Sequence, residues 1–208
     1  MDKKRAFDLF LSFTGFLILL PLFAIISLWI KLDSKGPVFF RQERVGRYGR
    51  PFRIYKFRTM NENAELCGGQ ITSAQDPRIT LSGRFLRKFK IDELPQLINV
   101  IKGEMSMVGP RPEVRRYVCI YSDAYKNILK IRPGITDMAS VLYRKESNMF
   151  QDSNDAERVY IHDILPEKIR LAEEYMKNSS ITFDLRIIIT TLLKIPFSRR
   201  LGWKGGEL

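Results

Sequence analysis

Asp92 and Glu93 stand side by side in Lys90-Ile91-Asp92-Glu93-Leu94-Pro95-Gln96-Leu97. Asp is a good helix cap, Pro95 is tolerated in a first turn, and Leu94, Leu97, Ile98 and Ile101 recur at helical spacing. The pattern predicts a helix over Asp92–Ile101 with two carboxylates at its start. The helix dipole and the free N–H groups there favour an ionised carboxylate. An ionised Asp can be a nucleophile, and two adjacent carboxylates can hold a divalent cation. An ordinary capped helix with an acidic first turn has the same pattern, so the rest of the chain must decide.

The other groups that could do chemistry are mostly cations. The chain carries 35 Lys and Arg against 23 Asp and Glu, a formal charge of +12, which implies an anionic partner. Its single histidine, His162, cannot build a metal cluster or a His-based triad alone and reads as a structural or surface residue. Cys67 and Cys119 are far apart and fit free thiols in a reducing compartment. Acid–base or nucleophilic chemistry therefore falls to carboxylates and cations. Arg111 lies between Pro110 and Pro112, with little backbone freedom on either side, which suits a guanidinium set to clamp phosphate. Arg132-Pro133-Gly134 is a second turn of the same kind, and either could equally be a plain surface loop.

The elements around these residues follow from pattern. Val38–Val45 and Phe52–Met60 read as strands of one β-hairpin about the turn Gly46–Pro51. Its basic residues, Lys56 and Arg58 among them, make either a phosphate- or membrane-contacting face or a charge-guarded edge. Asn61–Gln75 reads as a loop and Ser82–Phe89 as a short basic amphipathic helix. Val114–Ile131, Ala156–Asp163 and Pro166–Asn178 read as helices. Phe183–Ile195 is apolar but too short to span a bilayer, and suits a helix lying along a membrane better than a core helix. No internal repeat and no Walker A, Rossmann or zinc pattern occurs.

Leu9–Ile30 holds no charged residue, and as a straight helix of 22 residues it would reach about 33 Å, the thickness of a bilayer core. Both flanks are basic, so charge gives no orientation. Pro21 near the middle predicts a kink or break, leaving halves 9–20 and 21–30 too short to span. A kinked spanning helix and a re-entrant helix–break–helix fit these residues equally well. The expected organisation is a membrane segment over 1–31, a folded domain over 32–195, which the family resemblance given below makes cytoplasmic and catalytic, and a loose tail over 196–208.

Several segments together resemble the bacterial sugar transferase family, the small monotopic phosphoglycosyl transferases. They are Lys31–Phe39, Tyr55–Met60, Asp76–Thr80, Gly83–Arg87, Asp92–Leu97, Gly103–Pro112 and Arg132–Thr136. The resemblance covers most of the chain and is specific only as a set. It implies transfer of a sugar 1-phosphate from a UDP-sugar to undecaprenyl phosphate in surface-glycan synthesis. Asp92 would be the nucleophile, and Glu93 its partner for Mg²⁺, with Asp92 sharing the metal. Lys56 and Arg111 would bind phosphate, and Arg58, Arg87, Arg132 and Arg144 are possible donor contacts.

The resemblance also selects the re-entrant topology with its break at Pro21. It places the protein monotopically in the bacterial inner membrane, active site on the cytoplasmic side, supplying downstream glycosyltransferases. The fold class expected is α+β, mostly helical, with several amphipathic helices on the membrane face. Two segments depart from the pattern. Leu20 precedes Pro21 where many relatives have Ser, and Asp137–Arg144 replaces a Gly-Trp-x-Gln continuation in a stretch that could face nucleotide or sugar. The rival from another class is a non-catalytic membrane-anchored scaffold that binds anionic lipid or polyanions. Nucleic acid is not an expected partner, because the basic residues accompany a membrane segment.

Overall fold

A computed structural model of the chain describes residues 3–62, 64, 76–142 and 156–193. Arg144, Cys67, most of the loop 61–75 and the tail 196–208 lie outside the described residues.

The chain opens with α1, Lys3–Asp33, long and apolar enough to cross a membrane. Helical geometry runs through Pro21, so 9–20 and 21–30 are parts of one helix rather than two separated by a break. A proline removes one donor and its neighbours can carry the helix onward, as membrane helices often do. One stripe of α1 packs on the domain. Asp8, Ser12, Phe23, Ile26 and Ile30 are buried along it, with Phe16 and Leu19 joining the apolar cluster. The opposite side exposes Phe10, Phe13, Leu17, Ile18, Ile25, Leu28 and Leu32.

Both ends of α1 are tied to the same domain by polar contacts. At the start, Arg5 donates to the Val100 and Ile101 carbonyls at 2.7 and 3.1 Å. Lys4 donates to the Val108 carbonyl at 3.2 Å and pairs with buried Asp184. Asp8 accepts from Ser106 Oγ at 2.8 Å and from Met107 N at 3.1 Å. At the far end, Asp33 accepts from both the backbone N and the Oγ of Ser82, at 2.9 and 2.7 Å. A 31-residue helix is about 46 Å long, so α1 lies along the domain rather than standing away from it.

Strands β1 (Phe39–Val45) and β2 (Pro51–Phe57) form the expected antiparallel hairpin, pairing Phe39 with Phe57 and Val45 with Pro51. Helix α2, Leu81–Phe89, follows. A tight 3₁₀ turn over Ile91–Gln96 leads into α3, Leu97–Lys102. Strands β3 (Ser106–Val108) and β4 (Gly134–Thr136) pair in parallel, a second small sheet absent from the expected single hairpin. Three residues each is too short for a period-two signal. Their contact depends on glycine: a Cβ on Gly134 would lie 2.1 Å from Gly109 N.

The expected helix Val114–Ile131 is instead two, α4 (Arg115–Ile120) and α5 (Ser122–Ile128), divided where Tyr121 leaves helical geometry. Tyr121 Oη donates to the Ile161 carbonyl at 3.0 Å, and Tyr125 and Ile128 are buried in one cluster with Leu165 and Ile169. Helix α6, Met138–Leu142, follows β4. The two helices expected over 156–178 are continuous: α7 (Ala156–Val159), one π turn (Tyr160–Ile164) and α8 (Leu165–Asn178). Leu165 N reaches the Tyr160 carbonyl, and Pro166 brings no donor to the next turn, which loosens the helix there. Helix α9 is Ile181–Leu193, two residues earlier than expected, and exposes Leu185, Ile189, Leu192 and Leu193.

Candidate active site

The site is built where α2 ends. Lys90 takes a left-handed conformation, φ 59°, and closes α2 by donating its N–H to the Leu86 and Arg87 carbonyls. The chain then turns straight into the 3₁₀ segment. Asp92 is therefore inside this turn, one residue past its start, and does not cap an α-helix over 92–101 as expected. Pro95 contributes no N–H to that turn.

Asp92 and Glu93 are both buried, at 8% and 9% exposure. Lys56 Nζ donates to Glu93 Oε1 at 2.8 Å, and Arg111 Nη2 donates to the same oxygen at 2.7 Å. Burial works against the Glu93 charge, but Arg111 and then Lys56 outweigh it and hold the carboxyl well below the usual range. Asp92 goes the other way. Burial and then the Glu93 charge push its carboxyl up, beyond what Lys56, Lys90 and Arg87 offset. The pair is thus split into one firmly ionised acid and one that protonates more readily. The helix dipole expected to keep Asp92 ionised does not decide the matter. Asp92 Oδ1 is buried and makes no hydrogen bond.

Each cation is held by its own element. Lys56 lies on β2, and the outer edge of β2 is fixed by Asn99, which is fully buried. Asn99 Oδ1 accepts from Tyr55 N at 2.9 Å, and its Nδ2 donates to the Arg53 carbonyl at 2.9 Å and to Glu104 Oε2 at 2.7 Å. Arg111 follows β3 between its two prolines, and its backbone N donates to Asp137 Oδ2 at 3.2 Å. Asp137, where the sequence leaves the family pattern, therefore also orients the Arg111 loop. Arg87 lies on α2, donates through Nε to Thr59 Oγ1 at 2.8 Å, and feels Asp92 as its strongest charged neighbour. Lys90 feeds charge to both acids from the end of α2.

Of the expected donor contacts, Arg87 is thus beside Asp92. Arg58 and Arg132 are engaged elsewhere. Buried Arg58 caps the end of α1, donating to the Ser34 carbonyl and Oγ at 2.7 and 2.9 Å and to the Lys35 carbonyl at 2.6 Å. Arg132 Nε donates to the Gly103 carbonyl at 2.9 Å, beyond the end of α3. Arg144 lies outside the described residues. Sequence reasoning missed Lys90 and Asn99 as parts of the site, and marked Asp137 only as the start of a stretch that could face nucleotide or sugar. A basic run before the acids was visible for Lys90, but nothing marked its left-handed turn.

Among the described residues no group of three Asp, Glu, His or Cys side chains could hold a metal by itself. Mg²⁺ is usually bound by one or two carboxylates, with water and substrate phosphates completing the shell. The unpartnered buried Asp92 Oδ1 beside Glu93 fits that arrangement.

The sequence matches the bacterial sugar transferase family over residues 2–198. The chain belongs to that family. Among curated relatives of this sugar transferase, an undecaprenyl-phosphate glucose phosphotransferase of Komagataeibacter xylinus is 39% identical, covering 96% of this chain and 37% of its own. A UDP-N-acetylgalactosamine-undecaprenyl-phosphate N-acetylgalactosaminephosphotransferase of Aeromonas hydrophila is 38% identical, covering 92% of this chain and 43% of its own. The exopolysaccharide production protein PSS of Rhizobium leguminosarum bv. phaseoli is 37% identical over 91% of this chain and 93% of its own. The chain thus spans about two fifths of the first two relatives and nearly all of the third.

Proposed function

We propose that this protein is a membrane-bound phosphoglycosyl transferase that moves a sugar 1-phosphate from a UDP-sugar to undecaprenyl phosphate. The observation that carries the reading is the buried Asp92–Glu93 pair ringed by Lys56, Arg87, Lys90 and Arg111. Both substrates are strongly anionic, and attack of one on the other is opposed unless cations neutralise the phosphoryl oxygens. The two relatives named for undecaprenyl-phosphate transfer differ in sugar, glucose in one and N-acetylgalactosamine in the other, and support the substrate class. The proposed role is the first membrane step of surface glycan synthesis, with downstream glycosyltransferases taking the product.

In the first half, an Asp92 carboxylate oxygen forms a bond to the phosphorus that carries the sugar. The bond from that phosphorus to the oxygen bridging the two phosphates breaks, and UMP leaves. In the second half, a phosphate oxygen of the lipid attacks the same phosphorus. The aspartyl–phosphorus bond breaks, giving the polyprenyl diphosphate sugar and restoring the Asp92 carboxylate. Lys56 and Arg111 bind the donor phosphates, which must draw them from Glu93. Arg87 and Lys90 face the phosphoryl group at Asp92. Mg²⁺ held by Glu93 and Asp92 would polarise the phosphoryl oxygens and neutralise charge on the leaving phosphate.

The tethering of both ends of α1 to one domain supports a monotopic arrangement in the inner membrane, with both ends cytoplasmic and no break at Pro21. The exposed apolar side of α1 and the outer residues of α2 and α9 then face lipid. Single cysteines at Lys3 and Lys35, with Cys67 and Cys119 replaced by Ser, should both resist a membrane-impermeant thiol reagent in intact cells. Labelling of one but not the other would mean a spanning helix.

The direct test of the activity is a panel of UDP-sugars with undecaprenyl phosphate and Mg²⁺, scored by UMP release. At least one sugar should give multiple turnovers. No UMP with any donor would favour the non-catalytic scaffold.

A further inference from the structure

Helix α2 carries two different faces. Its inner face is fixed: Leu86 is fully buried, and a Cβ on Gly83 would lie 2.1 Å from the Thr59 carbonyl oxygen, so the helix sits directly on that backbone. Its outer face is apolar and exposed. Leu81, Phe85 and Phe89 recur every four residues and so form one stripe, exposed at 72%, 45% and 41%. Trp29 of α1 extends the stripe, its ring 5.4 Å from that of Phe85, which in turn is 4.8 Å from Phe89. Exposed Arg84 and Lys88 flank it, with Lys88 Nζ 5.6 Å from the Phe89 ring. Phe89 is followed directly by Lys90 and then, two residues on, by Asp92. The same helix carries Arg87, which donates to Thr59 Oγ1 at 2.8 Å and has Asp92 as its strongest charged neighbour.

We propose that the Trp29–Phe85–Phe89 ladder seats the first part of the acceptor's polyprenyl chain and delivers its phosphate to the cations at Asp92. The proposal rests on the transferase reading and names the part of that site which takes the lipid. A stripe that ends on a cluster of cations complements an amphiphile with a long apolar tail and an anionic head. From Leu81 to Phe89 the stripe runs about 12 Å along the helix, and its aromatic end is the end nearest Asp92. Bulk lipid has no need of that direction. The chain rests on Phe85 and Phe89, while Arg87 and Lys90 meet the phosphate.

The test is kinetic and is done in detergent micelles, so that membrane partitioning does not enter. In the double variant Phe85→Ala/Phe89→Ala, both exposed positions, the KM for undecaprenyl phosphate should rise about 10-fold while the KM for the UDP-sugar moves less than twofold. An acceptor KM within twofold of the wild type overturns the proposal and leaves the ladder as a plain lipid contact. A second reading does not need turnover. Trp203→Phe leaves Trp29 as the sole tryptophan of the two in the chain. Undecaprenyl phosphate should shift Trp29 emission saturably at concentrations where phosphatidic acid does not. Equal responses to both lipids, or none, would also overturn it. If the wild-type protein releases no UMP, the transferase reading itself has failed, and the emission assay still decides whether the ladder selects polyprenyl phosphate.

Discussion

Asp92→Asn is expected to lower turnover with both substrates present by at least ~1000-fold, because a carboxamide is neutral and a poor nucleophile. The change is nearly isosteric, and Asp92 Oδ1 makes no hydrogen bond that folding would lose. Thermal unfolding should therefore stay close to that of the wild type or rise slightly, since Asn removes a carboxyl that burial and Glu93 disfavour when charged. Loss of activity with the fold intact separates a chemical role from a packing role. The pH profile of the unaltered protein adds a check on sign. Burial and Glu93 raise the Asp92 carboxyl, and the nucleophile must be ionised. The acid limb of kcat/KM for the donor should therefore lie above the ordinary carboxylate range, with activity lost as pH falls through it.

Glu93→Gln is expected to cost about 100-fold in kcat/KM for the donor, by a different route. Glu93 Oε1 receives both Lys56 and Arg111, so the substitution leaves two cations without their shared anion. It also removes the like charge that raises Asp92. The acid limb should then move to lower pH even as the rate falls, since a more easily ionised carboxylate is a weaker nucleophile. Mn²⁺ affinity, read by the loss of its free-ion EPR signal with donor present, should drop along with the rate. A large rate loss with unaltered Mn²⁺ affinity would assign Glu93 to arranging Lys56 and Arg111 rather than to the metal. A rate within a few-fold of the wild type would remove it from the site.

Much of the frame was legible because it follows single periods. The interleaving of apolar Phe52 and Ile54 with basic Arg53 and Lys56 marked β2, and helical spacing marked α2 and α8 to within two residues. The cations that meet at Glu93 were legible as types, Lys56 in a basic strand and Arg111 between prolines, although their meeting point was not. Other parts needed information that one period does not carry. Arg58 looks like one more basic residue of the hairpin, yet it caps α1 from 23 residues away in sequence. Asn99 reads as a polar residue on a short helix, but it completes the β2 edge.

The buried polar group that holds the start of α1 was hidden for a similar reason. Asp8 lies just before an uncharged run and Asp184 in an apolar helix, and only the packing brings them to Ser106 and Lys4. The opposite shifts of the two acids were not legible, because a helix-start argument treats Asp92 alone. In the folded chain burial and the neighbouring Glu93 dominate. The parallel pair β3–β4 depends on two glycines meeting backbone to backbone, a contact between distant residues that leaves no local trace.

The central claim is a covalent sugar phosphate on Asp92, and the most direct measurement is intact-protein mass spectrometry after the protein meets UDP-sugar and Mg²⁺ with no lipid acceptor. The account predicts one equivalent of UMP and a mass increase equal to one sugar phosphate. The adduct should map to the peptide containing Asp92, be absent in Asp92→Asn, and be discharged when undecaprenyl phosphate is added. No adduct, with UMP appearing only once the lipid is present, would contradict it: the lipid would then attack the donor directly, and Asp92 would serve as a base or a metal ligand.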